Sequence, residues 1–348
     1  MTGERSGGGN GGEARPAASA RATGSGTTLA ARPGDDEVLP FRTVRSGVEG
    51  RLVRLSGVAL EILGRHDYPE PVSRALGEAL ALVAMLGTPL ADGGRLILEV
   101  RSDGPLRSLA ANFEQPGRLR GYAGFDRAAV LSLGVDTERL FGGGHLALTM
   151  DPAAGDSYQG VVAIEDGIRT VAEAATAYFV RSEGLPTFIR LAVARELSAD
   201  RPDAPGGDAT WHWRVGGLMI QHLGATAGAG TDDADIEGGL DEGEAEGGGA
   251  DESWRRARLL AETVEDHELI DPAVTPPQLL LRLFHEEGVH VRPALRLSTY
   301  CRCSRERIAR FLDQLEAGER QSLAGDDGRI AVTCEFCGRS YAFDRFAV

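Results

Sequence analysis

Residues 300–343 read YCRCSRERIARFLDQLEAGERQSLAGDDGRIAVTCEFCGRSYAF and contain every cysteine of the 348-residue chain. The cysteines form a C-x-C pair and a C-x-x-C pair, with thirty residues between the pairs. Two close pairs of thiolates suit the tetrahedral geometry of a closed Zn²⁺ site. The sequence therefore predicts a zinc-binding module over 299–348, and its expected ligands are Cys301, Cys303, Cys334 and Cys337.

The segment between the two pairs has the pattern of a helix that begins at the metal site. Ser304 is a favourable N-cap residue, and apolar residues recur at i, i+3, i+4 and i+7, namely Ile308, Phe311, Leu312 and Leu315. The N-terminus of this helix would favour the excess negative charge of a four-thiolate zinc site. A module of about fifty residues buries little core, whereas structural zinc contributes roughly 10–16 kcal/mol to folding. Loss of the metal is therefore expected to unfold the module.

Other uses of the four cysteines remain open from their spacing alone. A constitutive zinc ribbon would hold the C-terminus together or mediate protein or RNA contacts. Paired disulfides would suit a secreted protein, but residues 1–34 contain no continuous apolar signal segment. His285-Glu286-Glu287 followed by a C-x-x-C resembles a zinc deaminase signature, yet Thr333 stands where that signature has proline. A disulfide across C-x-C closes a strained ring, and strained disulfides tend to be labile, which favours a redox switch.

The overall composition is that of a folded protein with an acidic excess. Hydrophobic residues make up 42% of the chain and charged residues 26%, and the formal charge is −15 with arginine in place of all lysine. A charge of this sign disfavours general nucleic-acid binding. The most apolar stretch, 75–90, is too short and too interrupted to span a bilayer. Neither a nucleic-acid partner nor a membrane is expected.

Two segments of unusual composition mark the limits of the folded part. Residues 1–36 are rich in glycine and alanine and have few apolar residues to bury, which predicts a disordered tail. Residues 226–252 hold eight glycines and ten acidic residues without a base, which predicts a solvated, self-repelling tract. A helix is expected from Trp254 to Leu269, with a narrow stripe formed by Trp254, Ala257, Ala261, Val264 and Glu265. Such a helix is stable only while something packs on it, so 226–298 is interpreted as an acidic tract and a metastable helical linker.

Residues 37–225 are interpreted as one α+β core domain. An apolar helix is expected over 72–86, opened by Pro71, and a second helix with one apolar face over 170–183. Strand-like runs separated by turn signals are expected at 95–100, 145–150, 161–165, 188–194 and 211–223. The predicted architecture is therefore α+β, with an N-terminal β-sheet core domain and packed helices, a helical linker and a small C-terminal zinc-binding domain.

The chain resembles the heat shock protein 33 family of redox-regulated chaperones from about residue 38 to 348. The most specific match is C-x-C-S-R-E-R from Cys301, followed by C-E-F-C-G-x-x-Y-x-F from Cys334. The supporting segments are HDYP at 66–69, YQGVV at 158–162, YFxRSE at 178–183, LPT at 185–187, GGLMIQ at 216–221 and LFHEE at 283–287. The tail and the length of the acidic tract depart from the family pattern and inherit no function from it.

The resemblance implies a redox-regulated, ATP-independent holdase rather than an enzyme. In the reduced, inactive form the four cysteines would hold Zn²⁺, and oxidants would convert the pairs to the disulfides Cys301–Cys303 and Cys334–Cys337 and release the metal. Unfolding of the zinc domain would then destabilise the linker and expose apolar surface that binds unfolding or oxidatively damaged clients. The resemblance also implies a stress-response role in the cytoplasm, a homodimer in the oxidised form, and transfer of clients to ATP-dependent foldases.

Overall fold

The computed structural model describes residues 34–134, 139–165, 167–198, 210–223, 248–325 and 327–344. Apart from residues 34–36, the predicted tail lies outside these ranges, and so does the acidic tract as far as residue 247. The architecture is α+β, as predicted, with β-sheets at its core and the four cysteines near the C-terminus. None of the helices in the described ranges combines the length and the apolarity needed to cross a bilayer.

The described elements are fourteen strands and nine α-helices. The strands are β1 (Glu37–Thr43), β2 (Glu49–Leu55), β3 (Arg95–Ser102), β4 (Leu106–Glu114), β5 (Arg118–Phe125), β6 (Gly144–Asp151), β7 (Tyr158–Ile164), β8 (Thr187–Ser198), β9 (Thr210–Gln221), β10 (Val289–Val291), β11 (Leu295–Arg296), β12 (Ser298–Thr299), β13 (Arg329–Thr333) and β14 (Ser340–Asp344). The helices are α1 (Gly57–Leu63), α2 (Glu70–Gly87), α3 (Arg127–Ser132), α4 (Val171–Tyr178), α5 (Gly248–Glu262), α6 (Asp266–Ile270), α7 (Pro276–Phe284), α8 (Arg305–Asp313) and α9 (Ala317–Leu323).

The strands form two large sheets and one small hairpin. The first sheet has the order β10-β1-β2-β9-β8, with β11 also pairing with β1, and the second has the order β12-β5-β4-β3-β6-β7. The hairpin consists of β13 and β14. All five predicted strand runs overlap observed strands, whereas the hairpin of β4 and β5 was not predicted.

Helix α2 forms the centre of the main hydrophobic core. It packs against strands of both large sheets, and its residues from Val72 to Met85 are buried on nearly every side. This confirms the apolar helix predicted over 72–86, with Pro71 in its first turn. The helix predicted over 170–183 is α4, which begins with a capping box of Thr170 and Glu173 and ends in a π-helical turn, Phe179–Glu183.

Glu78 gives the core a specific dependence on pH. Its Oε2 accepts a hydrogen bond from the Val171 amide at 3.1 Å, and burial raises its pKa from 4.5 to about 7. Because the folded pKa is raised, the stability that Glu78 contributes is fully present below pH 4.5 and is lost as the pH rises to about 7. The variant Glu78→Gln keeps an acceptor without the charge. Its stability relative to the wild type is expected to rise by about 2 kcal/mol between pH 5 and pH 8 in urea unfolding. Glu70→Gln, at the exposed start of the same helix, should show little change, and a pH-independent difference for Glu78→Gln would contradict this prediction.

Helices α5 to α7, called the linker helices below, cover the outer face of the first sheet. Ala257, Ala261 and Val264 are buried, and with α7 they pack onto a set of sheet residues called the linker-covered face: Leu39, Phe41, Leu52, Leu218 and Ile220. The rings of Phe41 and Phe284 lie 5.6 Å apart at the centre of this contact.

The single helix predicted from Trp254 to Leu269 is wrong in one respect, because it is broken at Thr263. The amides of Thr263 and Val264 bond to carbonyls three residues back, and a capping box of Glu265 and Glu268 begins α6. Two β-branched residues followed by a capping box favour a new helix start over continuation. Glu265 is consequently exposed, although the predicted stripe included it.

Two buried arginines of the first sheet hold the linker helices by their backbone. Arg54 donates hydrogen bonds from Nη2 to the Glu268 carbonyl at 2.8 Å and from Nη1 to the Asp271 carbonyl at 2.9 Å, and it also contacts the Val274 carbonyl. Arg214 donates from Nε to the Ile270 carbonyl at 2.8 Å and forms an ion pair of 2.6 Å with Asp35. The end of α6 and the loop before α7 are therefore tied to the sheet by cationic donors.

Candidate metal centre

Two short turns bring the four cysteines together. Cys301 and Cys303 lie between β12 and α8, while Cys334 and Cys337 lie in the turn that joins β13 to β14. In that turn the Gly338 amide donates to the Cys334 carbonyl at 2.8 Å, and the Cys334 amide donates to the Arg339 carbonyl at 2.9 Å. Gly338 has φ 68°, a left-handed conformation that favours glycine. The glycine after the second pair thus allows a tight turn at this position.

The four Sγ atoms have the separations of a tetrahedral ligand set. Cys301 Sγ lies 3.2 Å from Cys303 Sγ and 3.6 Å from Cys334 Sγ, and Cys303 Sγ lies 3.3 Å from Cys337 Sγ. All four atoms lie within 4.8 Å of one another, and all four thiols are free. A tetrahedron with metal–sulfur bonds of about 2.3 Å has sulfur–sulfur edges of about 3.8 Å. The cluster can therefore hold a metal ion with little rearrangement, and thiolate ligands in this geometry suit Zn²⁺.

The surroundings of the cluster differ from one thiol to the next. Burial opposes ionisation of Cys303, but hydrogen bonding with Tyr341 Oη at 3.3 Å and with the other thiols lowers its pKa to about 7. Burial raises the pKa of Cys337 to about 12 and also raises that of Cys301. Ser304 caps α8 by accepting a hydrogen bond from the Arg307 amide at 3.2 Å, as predicted, so the cluster lies beside the N-terminus of that helix.

The metal module, residues 299–344, contacts the second sheet through Phe336. The Phe336 ring lies 4.2 Å from the Arg120 guanidinium carbon and 6.2 Å from the ring of Tyr122. Arg65 donates from Nη1 to the Phe336 carbonyl at 3.4 Å. Since Phe336 lies between Cys334 and Cys337, the cysteine turn itself is one of the parts of the module that contact the core.

A second contact lies at the other end of the cluster. Strand β12 pairs in parallel with the start of β5, immediately before Cys301. Tyr300 lies below two arginines, with the guanidinium carbons of Arg118 and Arg120 each 5.4 Å from its ring, and Arg302 forms an ion pair with Glu114 of β4. Both cysteine pairs are thus joined directly to the second sheet.

The variant Phe336→Ala is expected to weaken the contact between the metal module and the second sheet while the four-cysteine cluster stays intact. The loss of the ring removes a cation–π contact and buried apolar area, which together contribute about 1–3 kcal/mol. Amide hydrogen exchange in β12 and β5 should therefore accelerate about tenfold or more, while the metal content stays at the wild-type level. Phe311→Ala is the matched control, because Phe311 belongs to the same module but is 60% exposed. Equal exchange rates in the two variants would contradict the prediction.

A comparison with protein families places these features in a known group. The model for the family described as Hsp33 protein matches residues 36–344. The chain belongs to the Hsp33 family. This confirms the resemblance inferred from the cysteine pattern and the supporting segments.

Individual relatives of this Hsp33-family chain agree with that assignment. A protein of Caulobacter vibrioides named 33 kDa chaperonin is 40% identical over 316 residues, which cover 89% of this chain and 95% of the relative. A 33 kDa chaperonin of Enterobacter sp. is 32% identical over 311 residues, covering 89% and 92%. The crystal structure of a 33 kDa chaperonin from Thermotoga maritima has the same fold, with a TM-score of 0.66, 19% identity, and coverage of 90% of this chain and 96% of that one. Family membership and the four-cysteine cluster together support a chaperone function.

The histidine and acidic residues of the deaminase alternative lie apart from the cluster. Among the described residues, the group that could hold a metal consists of the four cysteines. His285 is exposed, and Glu287 is buried in an ion pair of 2.6 Å with Arg256. The His285-Glu286-Glu287 segment is therefore not a set of metal ligands in this Hsp33-family chain.

Sequence reasoning missed two groups beside the cluster. Tyr341 contacts Cys303, and it also forms a hydrogen bond with Arg339, which raises the pKa of that arginine. Both residues lie within four positions of Cys337. The tyrosine of the C-E-F-C-G-x-x-Y pattern was therefore the feature of the sequence that could have indicated a side chain beside the cluster. Their proximity to the sulfurs places a hydrogen-bond donor and a cation where a four-thiolate centre accumulates negative charge.

Proposed function

We propose that this chain is a redox-regulated, ATP-independent holdase whose reduced, inactive form binds Zn²⁺ through Cys301, Cys303, Cys334 and Cys337. The observation that carries the proposal is the convergence of four free thiols in a module with a very small core of its own. That core contains three fully buried apolar side chains, Leu312, Ile330 and Phe343. The bound metal would supply a structural crosslink among four thiolates, and such a crosslink is a main source of folding free energy in small modules.

Oxidation would remove that crosslink by forming the disulfides Cys301–Cys303 and Cys334–Cys337. With hydrogen peroxide, one thiolate of a pair attacks a peroxide oxygen, the O–O bond breaks, and a sulfenic acid and hydroxide form. The second thiolate attacks that sulfur, the S–O bond breaks, and a second hydroxide leaves. Each disulfide thus consumes one peroxide and two protons and yields two waters. The resulting disulfide sulfurs are poor metal ligands, because thiolates are the coordinating form.

Loss of the module would weaken the linker helices through the contacts described above. An unfolded module would release Phe336 from Arg120 and would free β12 from β5. In the segment before β12, strands β10 and β11 pair with β1. Helix α7, which precedes β10, packs on the linker-covered face. Unfolding can therefore propagate from the cysteines into the linker along the chain.

The surface that would bind clients is the linker-covered face. Leu39, Phe41, Leu52, Leu218 and Ile220 are buried there beneath the linker helices. Release of those helices would expose a contiguous apolar patch, and such patches bind unfolded segments of other proteins or a second copy of the chain. We further propose that the oxidised protein is a homodimer, that it acts in the cytoplasm during oxidative stress, and that it passes clients to ATP-dependent foldases on reduction. No nucleic-acid or membrane partner and no enzymatic activity form part of this proposal.

An aggregation assay tests the proposed function. The reduced, zinc-loaded protein and the same protein treated with peroxide at elevated temperature are each added, without ATP, to an enzyme that unfolds on heating, and light scattering is followed. Suppression of scattering by the oxidised sample alone, reversed by dithiothreitol, is the expected result. A constitutive zinc ribbon predicts instead that oxidation brings only loss of function, and that outcome would refute the redox switch.

A further inference from the structure

An apolar cavity of about 270 Å³ lies between the two large sheets, and none of the four cysteines lines it. Its walls come from the end of α2 and from β3 and β6, through Leu86, Leu96 and Leu148, with Met150 at the edge. An engineered cavity of 150 Å³ is large enough to bind benzene. This cavity therefore has room for a compact ligand somewhat larger than a single ring.

Four of the segments that carry the family resemblance converge on this cavity. Tyr158 comes from YQGVV, Tyr178 with Phe179 and Glu183 from YFVRSE, Leu185 from LPT, and Gln221 from GGLMIQ. The thiol cluster and the linker contacts account for none of these residues. Their convergence indicates that the cavity is a constructed feature of the fold rather than a packing defect.

The polar groups of the cavity form two separate hydrogen-bonded sets. In the first set Arg51 donates from Nη1 to Gln221 Oε1 at 3.1 Å, and Gln221 in turn donates from Nε2 to the Thr187 hydroxyl at 3.4 Å. Gln221 and Thr187 are buried, so this chain of hydrogen bonds fixes the direction of the guanidinium group. In the second set the hydroxyl groups of Tyr158 and Tyr178 both donate to Glu183 Oε1, at 2.8 and 2.5 Å.

Arg51 is a cation whose hydrogen-bond partner is a neutral amide. The nearby Glu49 is engaged by Arg292, which donates to its Oε1 at 2.9 Å, and lies 3.8 Å from Arg42. Burial lowers the pKa of Arg51, and the charge of the nearby Glu49 offsets only part of that effect. The planar guanidinium fork matches a carboxylate, and a partly buried cation gains most from such a partner. The carboxyl group of Glu183, which also lines the cavity, would repel a second acidic group on the same ligand.

We propose that this cavity binds a small apolar monocarboxylate, with the carboxylate at Arg51 and the apolar body against Leu96 and Leu148. The same chemistry is offered by a free acid and by an apolar C-terminal residue of a polypeptide. The site is independent of the metal centre, so its existence does not rest on the proposed holdase function.

Isothermal titration of the reduced, zinc-loaded full chain with 4-phenylbutyrate tests the proposal. The acid is expected to bind once per chain with a dissociation constant below about 1 mM, as befits a ligand of about a dozen heavy atoms. The isosteric amide, 4-phenylbutanamide, should bind about 10- to 100-fold more weakly, because it lacks the charge-assisted hydrogen bonds. Binding of the tripeptide Ac-Gly-Gly-Phe as a free acid would extend the site to polypeptide C-termini, and its failure to bind would restrict the site to free acids.

Two variants locate the binding. Arg51→Met keeps the aliphatic stem and should weaken the acid about 10- to 100-fold, while Arg42→Met, an exposed arginine on the neighbouring strand, should leave affinity unchanged. Met150→Trp fills the cavity from its partly exposed edge and should abolish binding without removing a core residue, which keeps the test decisive if Arg51→Met fails to fold. Absence of binding by the acid, equal binding of acid and amide, or wild-type affinity in a folded Arg51→Met or Met150→Trp variant would overturn the proposal.

Discussion

Replacement of Cys303 by serine is expected to unfold the metal module while leaving the two large sheets folded. Cys303 contacts Cys301, Cys337 and Tyr341, so its loss opens the cluster at the thiol with the most partners. The three buried side chains of the module contribute about 1.5–3 kcal/mol each, whereas a structural zinc site contributes about 10–16 kcal/mol. No other interaction in the described part of the module approaches that magnitude. The loss of one ligand should therefore remove most of the free energy that keeps residues 299–344 ordered.

Amide hydrogen exchange and zinc content check this expectation together. In Cys303→Ser, zinc should fall well below one ion per chain, and the protection of α8, β13 and β14 should be lost, while β3, β4 and β6 keep theirs. Ser340→Ala is the control, because Ser340 is an exposed residue of the same hairpin whose hydroxyl bonds only to Thr333 among the described residues. Full protection of the hairpin in a zinc-free Cys303→Ser protein would show that the module folds without the metal.

Replacement of Arg54 by methionine is expected to release the linker helices without oxidation. The variant keeps an aliphatic stem but removes the donor to the carbonyls of Glu268, Asp271 and Val274. Hydrogen bonds from charged donors contribute about 1.5–3 kcal/mol each, and buried carbonyls left without donors add a further cost. With three such bonds removed, the linker should lose roughly 4.5 kcal/mol of stability or more, about a thousandfold or more in its closing equilibrium. Under the proposed function, reduced and zinc-loaded Arg54→Met protein should therefore already suppress client aggregation.

Arg190→Met provides a matched control, because Arg190 contacts the same helix, α6, from strand β8. Arg190 forms an ion pair of 2.7 Å with Asp266 of α6, but both side chains are largely exposed. Such surface pairs contribute about 0–1 kcal/mol, so this variant should keep a protected linker and remain inactive when reduced. If Arg54→Met shows faster exchange in α6 and α7 but no chaperone activity, the linker-covered face is not the client surface. If it shows neither change, the arginine does not hold the linker.

The sequence predicted the elements whose signals are local. The close spacing within each cysteine pair and the Ser304 cap each act within a few residues, and the structure brings the four cysteines together and places the cap where it was expected. The apolar helix α2 was also predictable, because it is buried on nearly all sides. The same local pattern was misleading at Phe311, which follows the apolar spacing of α8 yet is exposed, because the hairpin covers only the side of the helix that carries Leu312.

The features that were not predictable depend on residues far apart in the chain. Phe336 meets Arg120, and Arg54 meets the backbone of α6, although each pair is separated by about two hundred residues. Backbone carbonyls carry no side-chain identity, so nothing in the sequence of α6 marks it as the partner of a buried arginine. The convergence of four segments on the apolar cavity has the same origin, since strand pairing brings them together.

Zinc content and holdase activity, measured on the same samples during oxidation, test the central claim most directly. The reduced chain should contain one zinc ion and suppress no aggregation. As peroxide at elevated temperature converts the four thiols to two disulfides, zinc should be released in proportion to the activity gained, and reduction in the presence of zinc should reverse both. Activity that appears while zinc remains bound, or complete zinc release without activity, would contradict the account.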